Sequence, residues 1–163
     1  MKKRNALRIA AELLLIGLFI GADQLLKQWA ERALGGGRVF AADGFMALRY
    51  VQNTGAAFSM LSGKTVILVW GTAVVLAACT VYLLLGRSKN RFFDAALLLL
   101  IAGGTGNLID RIRLGYVIDY IEPLFVDFAV SNFADCLITV GAALLFVWAI
   151  RGAVKDKNRK ETS

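Results

Sequence analysis

Residues 65–85 read TVILVWGTAVVLAACTVYLLL, twenty-one residues without a charge. At a helical rise of about 1.5 Å per residue this run is roughly 30 Å long, the thickness of the hydrocarbon core of a bilayer. In lipid, a lone segment satisfies its own backbone donors and acceptors only as a helix, so the stretch reads as a membrane-spanning helix. The rest of the chain extends that reading. Residues 7–29, 93–109 and 133–150 are further apolar runs of spanning length, and 58% of all residues are apolar, above the usual share for a soluble domain. The expected fold is an all-α membrane protein: a four-helix transmembrane bundle forming one membrane-embedded domain over residues 1–163.

The first run has the outline of a cleaved signal peptide, with Lys2, Lys3 and Arg4 ahead of an apolar core. Glu12 interrupts that core, and Asp23, Gln24 and Lys27 carry the helical pattern past Gly21-Ala22, so the segment reads as a retained span. Arg8, four residues before Glu12, is its natural partner on the same face.

The net charge of +7 would suit a nucleic-acid binder, but the basic residues sit at the ends of apolar runs and form no interleaved basic-aromatic surface. Lys2, Lys3, Arg4 and Arg8, then Arg87, Lys89 and Arg91, then Arg151, Lys155, Lys157, Arg159 and Lys160 supply twelve of the 19. In a four-span chain these segments share one side, which the positive-inside rule assigns to the cytoplasm. Both termini are then inside, and residues 30–64 and 110–132 form two outer connections, long for a helical bundle. They carry strand-like runs at 45–51 (FMALRYV), 116–121 (YVIDYI) and 125–130 (FVDFAV), with a turn signal at Ala42-Asp43-Gly44. A small extramembrane β-sheet on the outer face is expected.

The chain has no histidine. That excludes Ser-His-Asp and Cys-His hydrolases, HExxH zinc sites and histidine proton relays together. Cys79 and Cys136 fall in no metal-ligand spacing and read as packing residues. GGTGN at 103–107 follows no strand and lacks the GK[ST] of a phosphate loop. No metal and no cofactor is expected.

Polar residues collect in five clusters, all at the outer ends of spans, where they are functional candidates by default. Asp23 and Lys27 are four apart, a spacing that suits a helix-end ion pair as well as a working site. Asn107, Asp110 and Arg111 share a helix face, with Gly103 one turn below to allow close packing. Asn132-Phe-Ala-Asp135 fits a capping box opening the fourth span, so Asp135 has a structural role available to it. Asp119 is not separated by spacing from Glu122 and Asp127 in the same connection. Without histidine or a metal, two carboxylates are the simplest hydrolytic device: one ionised to take a proton from water, one protonated to polarise a carbonyl.

The motifs DQLLK (23–27), NTGAAFS (53–59), GGTGNLIDR (103–111), GYVIDY (115–120) and NFADC (132–136), in this order on four spans, closely resemble the lipoprotein signal peptidase (signal peptidase II) family. Tyr120 stands where phenylalanine is common in that family. The resemblance implies an aspartic endopeptidase of the bacterial inner membrane. It would remove the signal peptide from diacylglyceryl-modified prolipoproteins, cutting just before the lipidated cysteine. It further implies Asp119 and Asp135 as the catalytic pair, with Asp23, Asn53, Asn107, Arg111 and Asn132 shaping the site or binding substrate and Asp110 supporting Arg111. Membrane lipids and prolipoproteins are the implied partners, and a monomer is expected. Three rival readings are a small membrane transporter or channel with a polar outer site, a Ser-Lys peptidase using Ser59 or Ser131 with Lys27 or Lys64, and a non-catalytic scaffold.

Overall fold

The computed structural model describes residues 6–37, 39–42, 44–55, 65–85 and 90–161. Lys2, Lys3 and Arg4, Asp43 of the expected turn, Ala56 to Ser59 of the second motif, Lys64, and the loop charges Arg87 and Lys89 lie outside the described residues. In chain order the elements are α1 (Ala6–Leu34), β1 (Val39–Ala42), β2 (Met46–Asn53), α2 (Thr65–Leu84), α3 (Arg91–Leu114), β3 (Val117–Pro123) and α4 (Phe133–Glu161). All four helices are long and apolar enough to cross a membrane.

The helices outrun the expected spans. Hydropathy ends where the hydrocarbon ends, but backbone hydrogen bonding continues until a cap stops it. On α3, Asn90 caps the start, its side chain accepting from the Phe92 N–H at 2.9 Å, and Gly115 ends the helix in the left-handed conformation (φ 82°). Asp110 and Arg111 therefore lie on the last turns of α3 and not in an outer loop, and residues 30–34 likewise belong to α1.

The bundle is inside-out by the standard of a soluble protein. The buried positions of α1 are Ile16, Asp23, Lys27, Ala30 and Leu34, one stripe at helical spacing. Its exposed residues include Leu14, Leu18, Leu25 and Trp29. Ion-forming groups face in and leucines face out, the arrangement expected where the solvent is lipid. α3 is the central helix, packed against each of the other three. Ile16, Leu83, Leu97, Leu98, Ile101, Ala102 and Leu137 form an apolar core. Below it, Arg8 bonds Glu12 at 3.0 Å, as its spacing suggested, and Asp94 at 2.7 Å.

The outer connections hold one antiparallel sheet in the order β1-β2-β3. β2 and β3 fall on the expected 45–51 and 116–121 runs. β1 lies ahead of the expected turn, where Gly44 has φ 72°, and adds to the strand-like runs, its four residues VFAA being too few and too alanine-rich to declare a strand. The expected strand at 125–130 is absent. Leu124 N–H donates to the Phe45 carbonyl, which turns the chain away from the edge of β3. It returns only at Ser131, which exchanges backbone bonds with Ile121. On β3 the pleat sends Ile118 and Tyr120 to one face, against Ala30 and Leu34 of α1, and Asp119 to the other.

Candidate active site

Three asparagines bring the two aspartates together, each from a different element. Asn132 precedes α4 and caps it. Its Oδ1 accepts from the Asp135 N–H at 2.9 Å, while Asp135 Oδ2 accepts from the Asn132 N–H at 3.2 Å. The capping box read from the sequence is thus present, and it uses only one carboxylate oxygen of Asp135. The other, Oδ1, accepts from Asn107 Nδ2 on α3 at 2.7 Å. Asn132 Nδ2 is left free to donate to Asp119 Oδ1 at 2.7 Å. Asn53, at the end of β2, donates from Nδ2 to Asp119 Oδ2 at 2.9 Å, and its own Oδ1 accepts from the Gly55 N–H at 2.9 Å. Every oxygen of both carboxylates therefore has an amide donor. Asp119 is 1% exposed. Burial first, then the charge of Asp135, push its carboxyl up to about 6, against the pull of the Asn53 and Asn132 bonds.

Behind the asparagines lies a buried ion cluster. Lys27 Nζ contacts Asp23 Oδ2 and Asp110 Oδ2, each at 2.9 Å, and donates to Asn107 Oδ1 at 2.9 Å. Asp23 Oδ1 accepts from the Ala134 N–H at 3.0 Å, so α1 holds the first turn of α4. Asp110 supports Arg111 by its charge, while its bonds go elsewhere: it accepts from Lys27, from Gln24 at 3.0 Å and from the Ile118 N–H at 3.2 Å, tying α1, α3 and β3 together. Consecutive helical residues diverge by about 100°, which is why neighbours in sequence serve different faces. Arg111 instead donates to the Gly55 carbonyl at 2.9 Å.

A cavity of about 510 Å³ opens over this constellation. Asn53, Asn107, Arg111, Asp119 and Asp135 line it, with Ser131, residues 128–130 and the α4 residues Cys136, Thr139 and Val140. Glu122 and Asp127 are absent from its wall, which separates them from Asp119 as spacing could not. Asp23 and Asn132 act from behind it, through α4 and through the amide chain. Cys136 is exposed at the cavity, unlike the packing residue expected. Lys27 is the ion-pair partner of Asp23 that its spacing suggests, whereas its bonds to Asp110 and Asn107 and the part of Gln24 have no local signal in the sequence. Of the Ser-Lys pairs, the one lying wholly in described residues fails, because Ser131 Oγ donates to the Ile121 carbonyl and Lys27 Nζ is held by the two aspartates and Asn107.

A family model described as Signal peptidase (SPase) II matches residues 15–151. The chain is 41% identical over 129 residues to a lipoprotein signal peptidase of Streptococcus thermophilus (strain CNRZ 1066), covering 78% of this chain and 84% of that one. It is 44% identical over 149 residues to one of Streptococcus pyogenes serotype M1, covering 90% and 93%. Two solved structures of a bacterial membrane enzyme, obtained by the in meso method at 2.3 and 1.9 Å resolution, superpose with TM-scores of 0.81 and 0.79 at 30% identity. The first covers 89% of this chain and 90% of its own, the second 91% and 97%.

Proposed function

The chain belongs to the signal peptidase II family, the lipoprotein signal peptidases, and on that premise we propose that Asp119 and Asp135 are its catalytic dyad. It is a bacterial membrane peptidase that removes signal peptides from prolipoproteins. The observation that carries the aspartic mechanism is the meeting of two carboxylates from β3 and α4 in one cavity, linked through a single asparagine.

In this mechanism the dyad carries one proton. The ionised carboxylate takes a proton from a water molecule, whose oxygen attacks the scissile carbonyl. The protonated carboxyl gives its hydrogen bond, then its proton, to the carbonyl oxygen. Collapse of the tetrahedral intermediate re-forms the carbonyl as one hydroxyl proton returns to the carboxylate that gave it, the C–N bond breaks, and the proton gathered from water leaves on the amine, so the dyad again carries one proton. The amide donors fix both carboxylates before substrate arrives, which lowers the cost of orientation. The scissile bond precedes the lipidated cysteine of a diacylglyceryl-modified precursor. The α4 side of the cavity, with half-exposed Val140, suits entry of that lipidated chain sideways from the bilayer. Asn53, Asn107 and Asn132 orient the dyad, Asp23 anchors α4, and Arg111 holds the segment after β2 against the cavity. The whole chain acts as one peptidase domain and as a monomer in the inner membrane, with both termini in the cytoplasm and the site at the outer face.

A transporter is not favoured. On α1 and α3 the apolar residues Ile16, Leu97, Leu98 and Ile101 lie between the outer cluster and the Arg8–Asp94 pair, leaving no polar path between them among the described residues. The decisive experiment is the processing of a purified lipidated precursor by the Asp119→Asn and Asp135→Asn proteins after insertion has been checked.

The raised carboxyl of Asp119 predicts a pH dependence. As pH rises through about 6 the dyad loses its shared proton in the free enzyme, so kcat/KM falls; as pH drops further, both carboxylates become protonated and it falls again. Stability follows the same sign. The folded state holds the Asp119 proton more tightly than the unfolded chain, so the contribution of this residue worsens as pH climbs from 3.8 towards about 6. A flat kcat/KM from about pH 4 to 8, with chemistry rate-limiting, is the contrary result.

A further inference from the structure

We propose that Lys27 is a positioning residue for catalysis, acting through the side-chain amide of Asn107. The proposal rests on the dyad reading. An asparagine amide facing a carboxyl group has two useful orientations. With its NH2 towards the carboxyl it favours the ionised form; with its oxygen there it favours the protonated one. For Asn53 and Asn132 the orientation is set by backbone N–H groups, of Gly55 and Asp135, which can only donate. Asn107 has no such partner. Its Oδ1 is held by Lys27 Nζ at 2.9 Å and by Asn132 Nδ2 at 3.2 Å. A protonated amine also donates only, so Asn107 must turn Nδ2 to Asp135 Oδ1, at 2.7 Å. Lys27, 1% exposed, thus helps to fix an amide donor on Asp135 without touching it.

The position of Lys27 is itself over-determined. Asp23 and Asp110 grip Nζ from α1 and α3, and Gln24 bonds the same two carboxylates at 3.3 and 3.0 Å. The charged and titratable groups around Asp135 are Lys27 and Asp23 of α1, Arg111 and Asp110 of α3, Asp119 and Tyr120 of β3, and Cys136 of its own helix. Arg111 and Lys27 both act on Asp135 by charge, and Lys27 is distinguished by acting also through an amide whose orientation it sets together with Asn132.

The test measures kcat, KM and the acid limb of the pH profile with a purified lipidated precursor, for Lys27→Met, Lys27→Gln, Asn107→Ala and the double variant Lys27→Met/Asn107→Ala. Asp119→Asn and Asp135→Asn run beside them. Lys27→Met removes the shorter of the two bonds on Asn107 Oδ1 and leaves only Asn132 Nδ2, at 3.2 Å, to keep the amide from turning its oxygen to Asp135. The expected result is a fall in kcat of roughly 10- to 100-fold with KM within about threefold, and an acid limb moved to higher pH. Lys27→Gln keeps an N–H donor without charge and is expected to recover much of kcat and return the limb. In the Asn107→Ala background, Lys27→Met should cost little more, because both act through one amide. Additive losses, an unmoved acid limb, or a Gln variant as impaired as Met at equal thermal stability each overturn the proposal. If Met fails to insert, Gln carries the test alone. Failure of both to insert makes Lys27 a structural ion-pair residue and also overturns it. Activity retained in Asp119→Asn and Asp135→Asn would instead remove the dyad.

Discussion

Asp119→Asn and Asp135→Asn each give a protein that inserts into the membrane and binds prolipoprotein but processes it at least about a thousandfold more slowly. Asparagine keeps the shape of aspartate and removes both its charge and its capacity to hold the shared proton. Neither substitution should unfold the chain. At position 135 the remaining carbonyl oxygen can still accept from the Asn132 N–H, so the cap on α4 survives. At position 119 one oxygen becomes an NH2 facing the donor of Asn53 or Asn132, a mismatch of about 1–3 kcal/mol. Offsetting this, the fold opposes ionisation of Asp119, so a neutral residue relieves a buried charge near neutral pH.

The double variant should be no slower than the worse single one, since neither carboxylate works without its partner. Ser131→Ala, by contrast, is expected to process normally, because Ser131 Oγ is a donor to the Ile121 carbonyl and not a nucleophile beside a free amine. Gel-shift assays of precursor cleavage, with insertion read by detergent extraction and thermal unfolding, decide the matter. Processing within a few-fold of the parent in both single variants would sink the dyad.

Different parts of the molecule were legible in the sequence to different degrees, for physical reasons. The charge-free stretch at 65–85 needs no partner to be a helix, because lipid imposes that on any such run. The ends of α1 and α3 depend instead on capping, so the apolar span at 93–109 stops short of the turns carrying Asp110 and Arg111, although Gly115 closes the helix beyond them. Residues 117–123 and 125–130 are alike rich in β-branched and aromatic residues, yet only the first pairs along an edge. Such composition reports a strand's potential and not the vacancy beside it. Within the site, the capping box at Asn132 and Asp135 is local and was visible as such. The bonds joining Asn107 to Lys27 and Asn53 to Asp119 span 80 and 66 residues, beyond any local spacing rule. Only the family motifs pointed to Asp119 among the loop acids, and the cavity wall now gives the physical distinction.

Gly103→Ala should lower both stability and processing, although it touches neither aspartate. A Cβ at this position would overlap the Ala134 carbonyl oxygen and lie 2.9 Å from Ile138 Cγ1 and 3.1 Å from Leu137 Cβ. The first of these is backbone and cannot step aside, so α4 must move away from α3. Farther along the same seam, Gly141 would bring a Cβ within 3.0 Å of the Ala96 carbonyl oxygen, so the two helices approach closely at both points. Ala134 precedes Asp135, and Asn107 sits one turn above Gly103, so the displacement acts on the 2.7 Å bond that aims Asp135. A loss of about 1–3 kcal/mol is expected for alanine, more for valine. With it should come a fall in kcat larger than the change in KM, because a shift near 1 Å at a catalytic group can cost about a hundredfold. Gly17→Ala and Gly21→Ala are the controls. Nothing lies within 4 Å of a Cβ at either place on α1, and alanine is the better helix former by up to about 1 kcal/mol, so both should be neutral or slightly stabilising. Thermal unfolding in detergent and precursor cleavage on the same samples test the pattern. A Gly103→Ala protein as stable and active as Gly17→Ala would mean that the α3–α4 approach does not set the geometry of the dyad.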